Sequence, residues 1–469
     1  MPDTPRPHPG ASPLTRRAAL VGLAAGAAAL LPAPAWAATE QRPGAVRAPR
    51  LDAFDRRIVR QLSAERALGH ISELSEGIGP RIGGTESEHR AAQYLAGQLD
   101  DLGYTVRLEP FGVADKFLAQ LSASPELTPD LCWQAGASPQ GALDVTATGP
   151  VVDVRAGTAA DYPADVTGAV LLVDSTAATR NAQVALAVAR GAAAVVLLPA
   201  DLVAPRQAQA ASPALTAPAP VPVVGVAQSQ KAALRERLAA GPYELTVATT
   251  AHRNLTSHNV LGERAGRGGG RGPRRAVAVS GHYDSVIGAP GANDDASGTA
   301  LALEVGRAVR RLPTPADVRV SLWGSEEQGL LGSRFHVAQL DQPARDRLAA
   351  VFQNDMVATS WDPATRYWLL SFTGEPNTAT DAVTAAGQRL GYAPRMSPVT
   401  ERGASDHQSF QEVGIASANF SWRGEESPAL LEPPYHSPMD SVARNISLER
   451  LQVSLELIGC ALYAVARQG

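Results

Sequence analysis

From residue 252 onward the chain alternates short apolar runs with helical stretches, and this alternation constrains the fold more than any other feature. Residues 276–280, 318–323, 349–352 and 416–422 are predominantly apolar, and helical spacing falls between them at about 297–311 and 378–390. A strand buried on both faces reads as a continuous apolar run, and parallel neighbours need helical crossovers. The pattern predicts an α/β fold, a mostly parallel mixed sheet sandwiched by helices. Ligands in such sheets gather beyond the carboxyl ends of the strands. Residues that directly follow each run are therefore the first candidates for chemistry.

Those residues are of metal-ligand type. His282 and Asp284 follow the first run, in Ser280-Gly-His-Tyr-Asp-Ser285. A neutral imidazole binds zinc well, and a carboxylate two residues on can hold its other ring nitrogen. Asp294 follows, in Gly291-Ala-Asn-Asp-Asp-Ala-Ser-Gly298. A carboxylate at such a turn can bridge two cations, or it can serve as an Asx turn opening the next helix. Glu326 and Glu327 stand at the end of the second run. Adjacent side chains at a strand end point in different directions, so one can bind a metal while the other reaches a reacting water. Such a pair is costly in an apolar setting unless cations or proton transfer justify it. Asp355 follows the third run, and Ser405-Asp406-His407 and Pro434-Tyr435-His436-Ser-Pro-Met-Asp440 come late in the chain. Two imidazoles with several carboxylates match the mixed nitrogen and oxygen set that zinc accepts. The joint occurrence is far more specific than any single piece.

With these motifs in order, residues 276–440 resemble the co-catalytic di-zinc aminopeptidases of peptidase clan MH. The loop, helix and strand of 70–110 resemble the N-terminal piece of that family. The resemblance implies two Zn2+ ions, His282 and Asp355 on one, Glu327 and His436 on the other, and Asp294 bridging both. It implies Glu326 as general base toward a metal-bridging water, Asp284 as the partner of His282, and Tyr435 as a donor to the developing oxyanion. Asp295 is not expected to bridge, because the family's bridging residue directly follows the Asn. Asp406 and Asp440 are left open between supporting the ligands and simple turn or capping roles. His336 and His407 are expected to be structural. The implied activity is removal of N-terminal residues from peptides with a free N-terminus. Carboxypeptidases and dipeptidases share the ligand set, glutaminyl cyclases share the fold with one zinc, and a non-enzymatic ectodomain would have lost ligands.

The remaining sequence sets the context. Residues 1–37 read as an export signal. Arg16-Arg17 precedes an apolar run through Leu31, and Ala35-Trp36-Ala37 offers a cleavage site. Export by the twin-arginine or the general machinery is expected, to an extracytoplasmic or secreted location, with no stable membrane insertion after cleavage. Residues 51–115 and 252–469 form the expected catalytic domain. Residues 116–251 hold no His, show no ligand spacing, and resemble an inserted protease-associated (PA) domain. The Gly- and Arg-rich segment 264–275 is expected to be a hairpin loop between two strands. A formal net charge of −4 gives no general affinity for nucleic acid. Cys132 and Cys460 are expected to be separately buried thiols. Trp361, Trp368, Phe420 and Trp422 could wall a specificity pocket, although aromatics near strand ends more often belong to the core.

Overall fold

The computed structural model describes residues 51–124, 134–200, 209–267 and 274–468. The export signal at 1–37 and Cys132 lie outside the described residues. The helical spacing over residues 51–74 resolves into two helices, Ala53–Val59 and Ala64–Ser72, capped by the side chains of Asp52 and Ser63. A third helix, Glu86–Asp101, starts where the sequence 85–88 predicts a capping box, but the box does not form. Thr85 Oγ1 donates to the Ile82 carbonyl instead, and Glu88 is drawn inward to Ser257 and Ser325. Gly103, at φ 79°, turns the chain out of this helix into strand β1 (Thr105–Val113).

Next come β2 (Lys116–Ser124), β3 (Gln134–Ala137), β4 (Thr146–Asp153), β5 (Val170–Ser175), β6 (Ala194–Pro199), β7 (Val223–Gly225) and β8 (Glu244–His252). They close a barrel in the order β2-β3-β7-β6-β5-β4-β8, with β8 returning to pair with β2. Its interior is aliphatic, with Val170, Leu172, Val196, Leu198 and Val247 among its buried residues. After the barrel, β9 (Leu255–Arg264) pairs antiparallel with β1, and Leu255 sits opposite Val113. The chain therefore leaves and re-enters the larger sheet at one place, so the barrel is inserted without disturbing its host.

The larger sheet is completed by β10 (Ala276–His282), β11 (Asp317–Trp323), β12 (Leu348–Asn354), β13 (Arg366–Ser371), β14 (Met396–Glu401) and β15 (Ser417–Arg423). Its order is β1-β9-β11-β10-β12-β15-β13-β14. β11, β10, β12 and β15 run parallel to one another. Every residue of β10, β12 and β15 is buried, as expected of strands covered on both faces. β11 separates β9 from β10, so the Gly- and Arg-rich segment is not a hairpin loop. Apolar periodicity marks strands without ordering them, and β9 finds its antiparallel partner in β11. Residues 268–273 of that segment lie outside the described residues.

The helix Gly298–Val309 is nearly all buried against the sheet. A Cβ on Gly298 would lie 2.0 Å from the Asn354 carbonyl oxygen, so only glycine lets the helix start this close to β12. Phe420 and Trp422 are fully buried, Trp368 is nearly so, and Trp361 packs against the same core. Cys460 is a free, buried thiol in the helix Leu448–Ala466. No helix among the described residues is long and apolar enough to cross a membrane.

Candidate metal centre

The parallel strands bring the predicted residues together at their carboxyl ends. His282 closes β10, Glu326 and Glu327 begin the turn after β11, and Asp355 directly follows β12. Asp294 comes from the loop that enters the buried helix, and Tyr435 and His436 come from the loop after β15. His282 Nε2 lies 3.1 Å from Asp294 Oδ1 and 4.0 Å from Asp355 Oδ1. His436 Nε2 lies 3.0 Å from Asp294 Oδ2 and 3.0 Å from Glu327 Oε1. The two oxygens of Asp294 thus face two different imidazoles.

His282 and Asp294 meet within hydrogen-bond geometry, but the contacts of His436 fit a metal better than hydrogen bonds. Glu327 Oε1 and His436 Nε2 are buried and close, yet neither has a hydrogen-bond partner of acceptable geometry among the described residues. Donors held at about 2.0–2.2 Å from one tetrahedral ion lie about 3.4 Å apart, which is close to this spacing. His282, Asp294 and Glu327 offer ligand atoms within 4.8 Å of one another, and so do His282, Asp295 and Asp355. The oxygens of Asp295, however, already accept from the backbone N–H groups of His282, Gly298 and Met356.

The electrostatics also call for cations. Burial pushes Glu326 well above the ordinary carboxylate range; His282 opposes, and Asp406, Glu327 and Asp355 add repulsion. Burial likewise raises Glu327 and Asp355. Burial would raise Asp294 too, but the two imidazoles outweigh it and hold the carboxyl low. Burial disfavours a charged His436, yet Glu327 and Asp294 push it up to about 10. Without cations, protonated imidazoles must neutralise the acids. Divalent cations supply that charge and leave the imidazoles as neutral ligands. Burial, with four nearby carboxylates, raises the Tyr435 hydroxyl and keeps it a proton donor, and its ring stacks on His436 at 3.7 Å.

A shell of buried groups holds this arrangement. Asp284 Oδ1 lies 3.3 Å from His282 Nδ1 and accepts from the Glu326 N–H at 2.9 Å, while Oδ2 accepts from the Glu327 N–H at 3.2 Å. One carboxylate therefore ties the first motif to the Glu-Glu turn. Asp440 accepts from the N–H groups of Asn293 and Asp294 and from the Asn445 amide. Asp406 accepts from Gln353 at 3.2 Å, and burial pushes it up to about 7. His336 meets Glu109 at 3.0 Å and packs on Trp323, away from the cluster. His407 Nε2 donates to the Arg402 carbonyl at 2.8 Å. Ser325, Met356, Ala404 and His436 take positive φ between 54° and 65°, a strained choice for such residues that concentrates around this site.

Three supporting residues escape sequence reasoning. The guanidinium of Arg81, fully buried, donates to the carbonyls of Tyr283, Leu74, Gly79, Pro290 and Gly291. Glu88 binds the Ser325 N–H ahead of Glu326, and Glu432 binds the Asn293 side chain ahead of Asp294. Their only sequence signal is a charge within a loop or helix start, which many surface residues share.

The description "Peptidase family M28" matches residues 259–460, and "PA domain" matches residues 147–234. Aminopeptidase YwaD of Bacillus subtilis is 32% identical over 411 residues, 86% of this chain and 85% of the relative. The chain belongs to peptidase family M28. The M28 match spans every residue of the candidate metal centre, and the PA match falls within the barrel. Among solved structures, the zinc aminopeptidase BSAP from Bacillus subtilis aligns at a TM-score of 0.60 and 31% identity, over 87% of this chain and 96% of that one. An aminopeptidase from Aneurinibacillus sp. strain AM-1 aligns at 0.56 and 30% identity, over 88% and 97%. This M28 chain is thus a peptidase, and so a hydrolase, of mixed α/β fold with an inserted PA domain.

Proposed function

We propose that the protein is an exported zinc aminopeptidase that binds two zinc ions and releases N-terminal residues from peptides. The observation that carries this reading is the Asp294 carboxylate, with His282 Nε2 at 3.1 Å on one oxygen and His436 Nε2 at 3.0 Å on the other. His282, Asp294 and Asp355 are suited to one ion, and Asp294, Glu327 and His436 to the other. Zinc at such a position lowers the pKa of a water and polarises a carbonyl. Glu326, buried at the turn beside Glu327, would take a proton from the attacking water and pass it to the leaving amine. The Tyr435 hydroxyl donates to the oxygen on which negative charge develops. The carboxylates around the centre also offer a place for the substrate's free amine. The names of the aminopeptidase relatives support this choice among M28 activities.

The test is a substrate panel on purified full-length protein: aminoacyl-anilides, the same compounds N-blocked, and peptides with a blocked or free C-terminus. Cleavage is expected to require a free N-terminus. Equal cleavage of N-blocked substrates would refute the aminopeptidase reading. Export is checked by N-terminal sequencing of the secreted protein, which is expected to begin near Ala38.

A further inference from the structure

The proposed hydrolysis leaves two arginines beside the centre without a task. The cavity of about 80 Å3 bounded by His282, Asp294, Glu326, Glu327 and Asp355 is also lined by Arg402 and Arg423. Arg423 ends β15 and is only 3% exposed. Its Nε donates to Ser421 Oγ at 3.1 Å and its Nη1 to the Pro428 carbonyl at 3.2 Å, both neutral acceptors. Its Nη2 makes no hydrogen bond among the described residues. Arg402 follows β14. Its backbone is fixed by His407 on its carbonyl and by its own N–H on the Ser371 carbonyl. Its guanidinium makes neither a hydrogen bond nor an ion pair among the described residues.

Neither guanidinium meets a carboxylate within ion-pair distance among the described residues, although Asp355 acts on both at longer range. Buried charge is costly unless paired. Elsewhere in this chain half-buried arginines meet carboxylates, as Arg389 meets Asp55 and Arg235 meets Asp153. Burial, and then repulsion from Arg423, lowers Arg402 to about 10 despite the opposing pull of Asp355, and a bound anion would relieve the repulsion. Guanidinium matches carboxylate by two parallel hydrogen bonds. The cavity is small, and Met356 and Leu431 provide its apolar wall.

We propose that Arg402 and Arg423 form a carboxylate subsite beside the metal centre, so that preferred substrates carry a carboxylate near the scissile bond. The carboxylate is either the side chain of an acidic N-terminal residue or the C-terminus of a dipeptide. Cationic N-terminal residues are disfavoured. This inference rests on the aminopeptidase reading above for its substrates, but not for its binding chemistry.

The experiment uses the zinc-loaded full chain, Arg402→Gln and Arg423→Gln. Turnover is compared for Glu- and Gln-anilides, and for the dipeptide Leu-Gly and its C-terminal amide. Calorimetry compares binding of glutamate with glutamine, and of Leu-Gly with its amide. One carboxylate member is expected to exceed its amide counterpart by about 10- to 100-fold in kcat/KM and in affinity, the range of a charge-assisted hydrogen bond. Preference in the glutamate pair assigns the side chain, and preference in the dipeptide pair assigns the C-terminus. Arg402→Gln, at the half-exposed position, should bring the preferred ratio to about 1 even if Arg423→Gln fails to fold. Equal binding and turnover within both pairs would overturn the subsite, and so would a ratio unmoved by Arg402→Gln. Loss of the free-N-terminus requirement would overturn the aminopeptidase reading instead, and the binding ratios would still decide the subsite.

Discussion

Arg81→Leu should loosen the two loops that carry Asp284 and Asp294. The Arg81 guanidinium donates to five carbonyl oxygens, three of them at Tyr283, Pro290 and Gly291. Leu74 and Gly291 keep backbone donors from Gly79 and Ala296 when the side chain is removed. Tyr283, Gly79 and Pro290 have no other donor among the described residues. The Tyr283 oxygen is buried, so leaving it unpaired costs about 1–3 kcal/mol. The Gly79 and Pro290 bonds are partly buried and should cost about 1 kcal/mol each. The sum is about 3–5 kcal/mol, concentrated on residues 79–81 and 283–291. Native-state hydrogen exchange on peptides covering these residues measures it directly, with protection expected to fall by about 10²-fold or more. Arg81→Lys keeps the charge but loses the fork, and should fall between the two. Unchanged protection in Arg81→Leu would refute the claim that this guanidinium organises the site.

Two further perturbations follow. Asp284→Asn weakens the hold on His282 and on both N–H groups of the Glu-Glu turn, so zinc affinity should drop by about 10- to 100-fold in a chelator competition. His407 is buried and donates through Nε2, and burial, aided by Arg423 and Arg402, lowers its pKa from 6.5 to about 4. The unfolded chain therefore takes up this proton first as pH falls. Its stabilising effect is complete above about pH 6.5 and is lost toward pH 4, with about 2 kcal/mol gone by pH 5. Urea midpoints at pH 7.5 and pH 5 should differ less in His407→Gln than in the unaltered chain.

Much of the site was legible because its chemistry sits where short-range rules apply. His282, Glu326, Glu327 and Asp355 directly follow apolar runs that become buried strands, and each motif is compact in sequence. The supporting residues were not legible because their partners are remote. Arg81 meets Tyr283 across 202 positions, and Glu88 meets Ser325 across 237. The same limit explains the segment 264–275: strand order depends on long-range pairing of β9 with β11, which local periodicity does not contain. Residues 85–88 mislead for a related reason. Their local capping pattern is genuine, but a buried partner offers Glu88 more than the helix end does.

Zinc content and turnover, measured side by side on Glu326→Ala and Glu327→Ala, test the division of labour most directly. Glu326→Ala is expected to keep the metal content of the unaltered chain while kcat falls by about 10²- to 10⁴-fold, the span of general acid–base catalysis. Glu327→Ala is expected to lose zinc. Near-normal turnover in Glu326→Ala, or equal metal loss in both variants, would contradict the account.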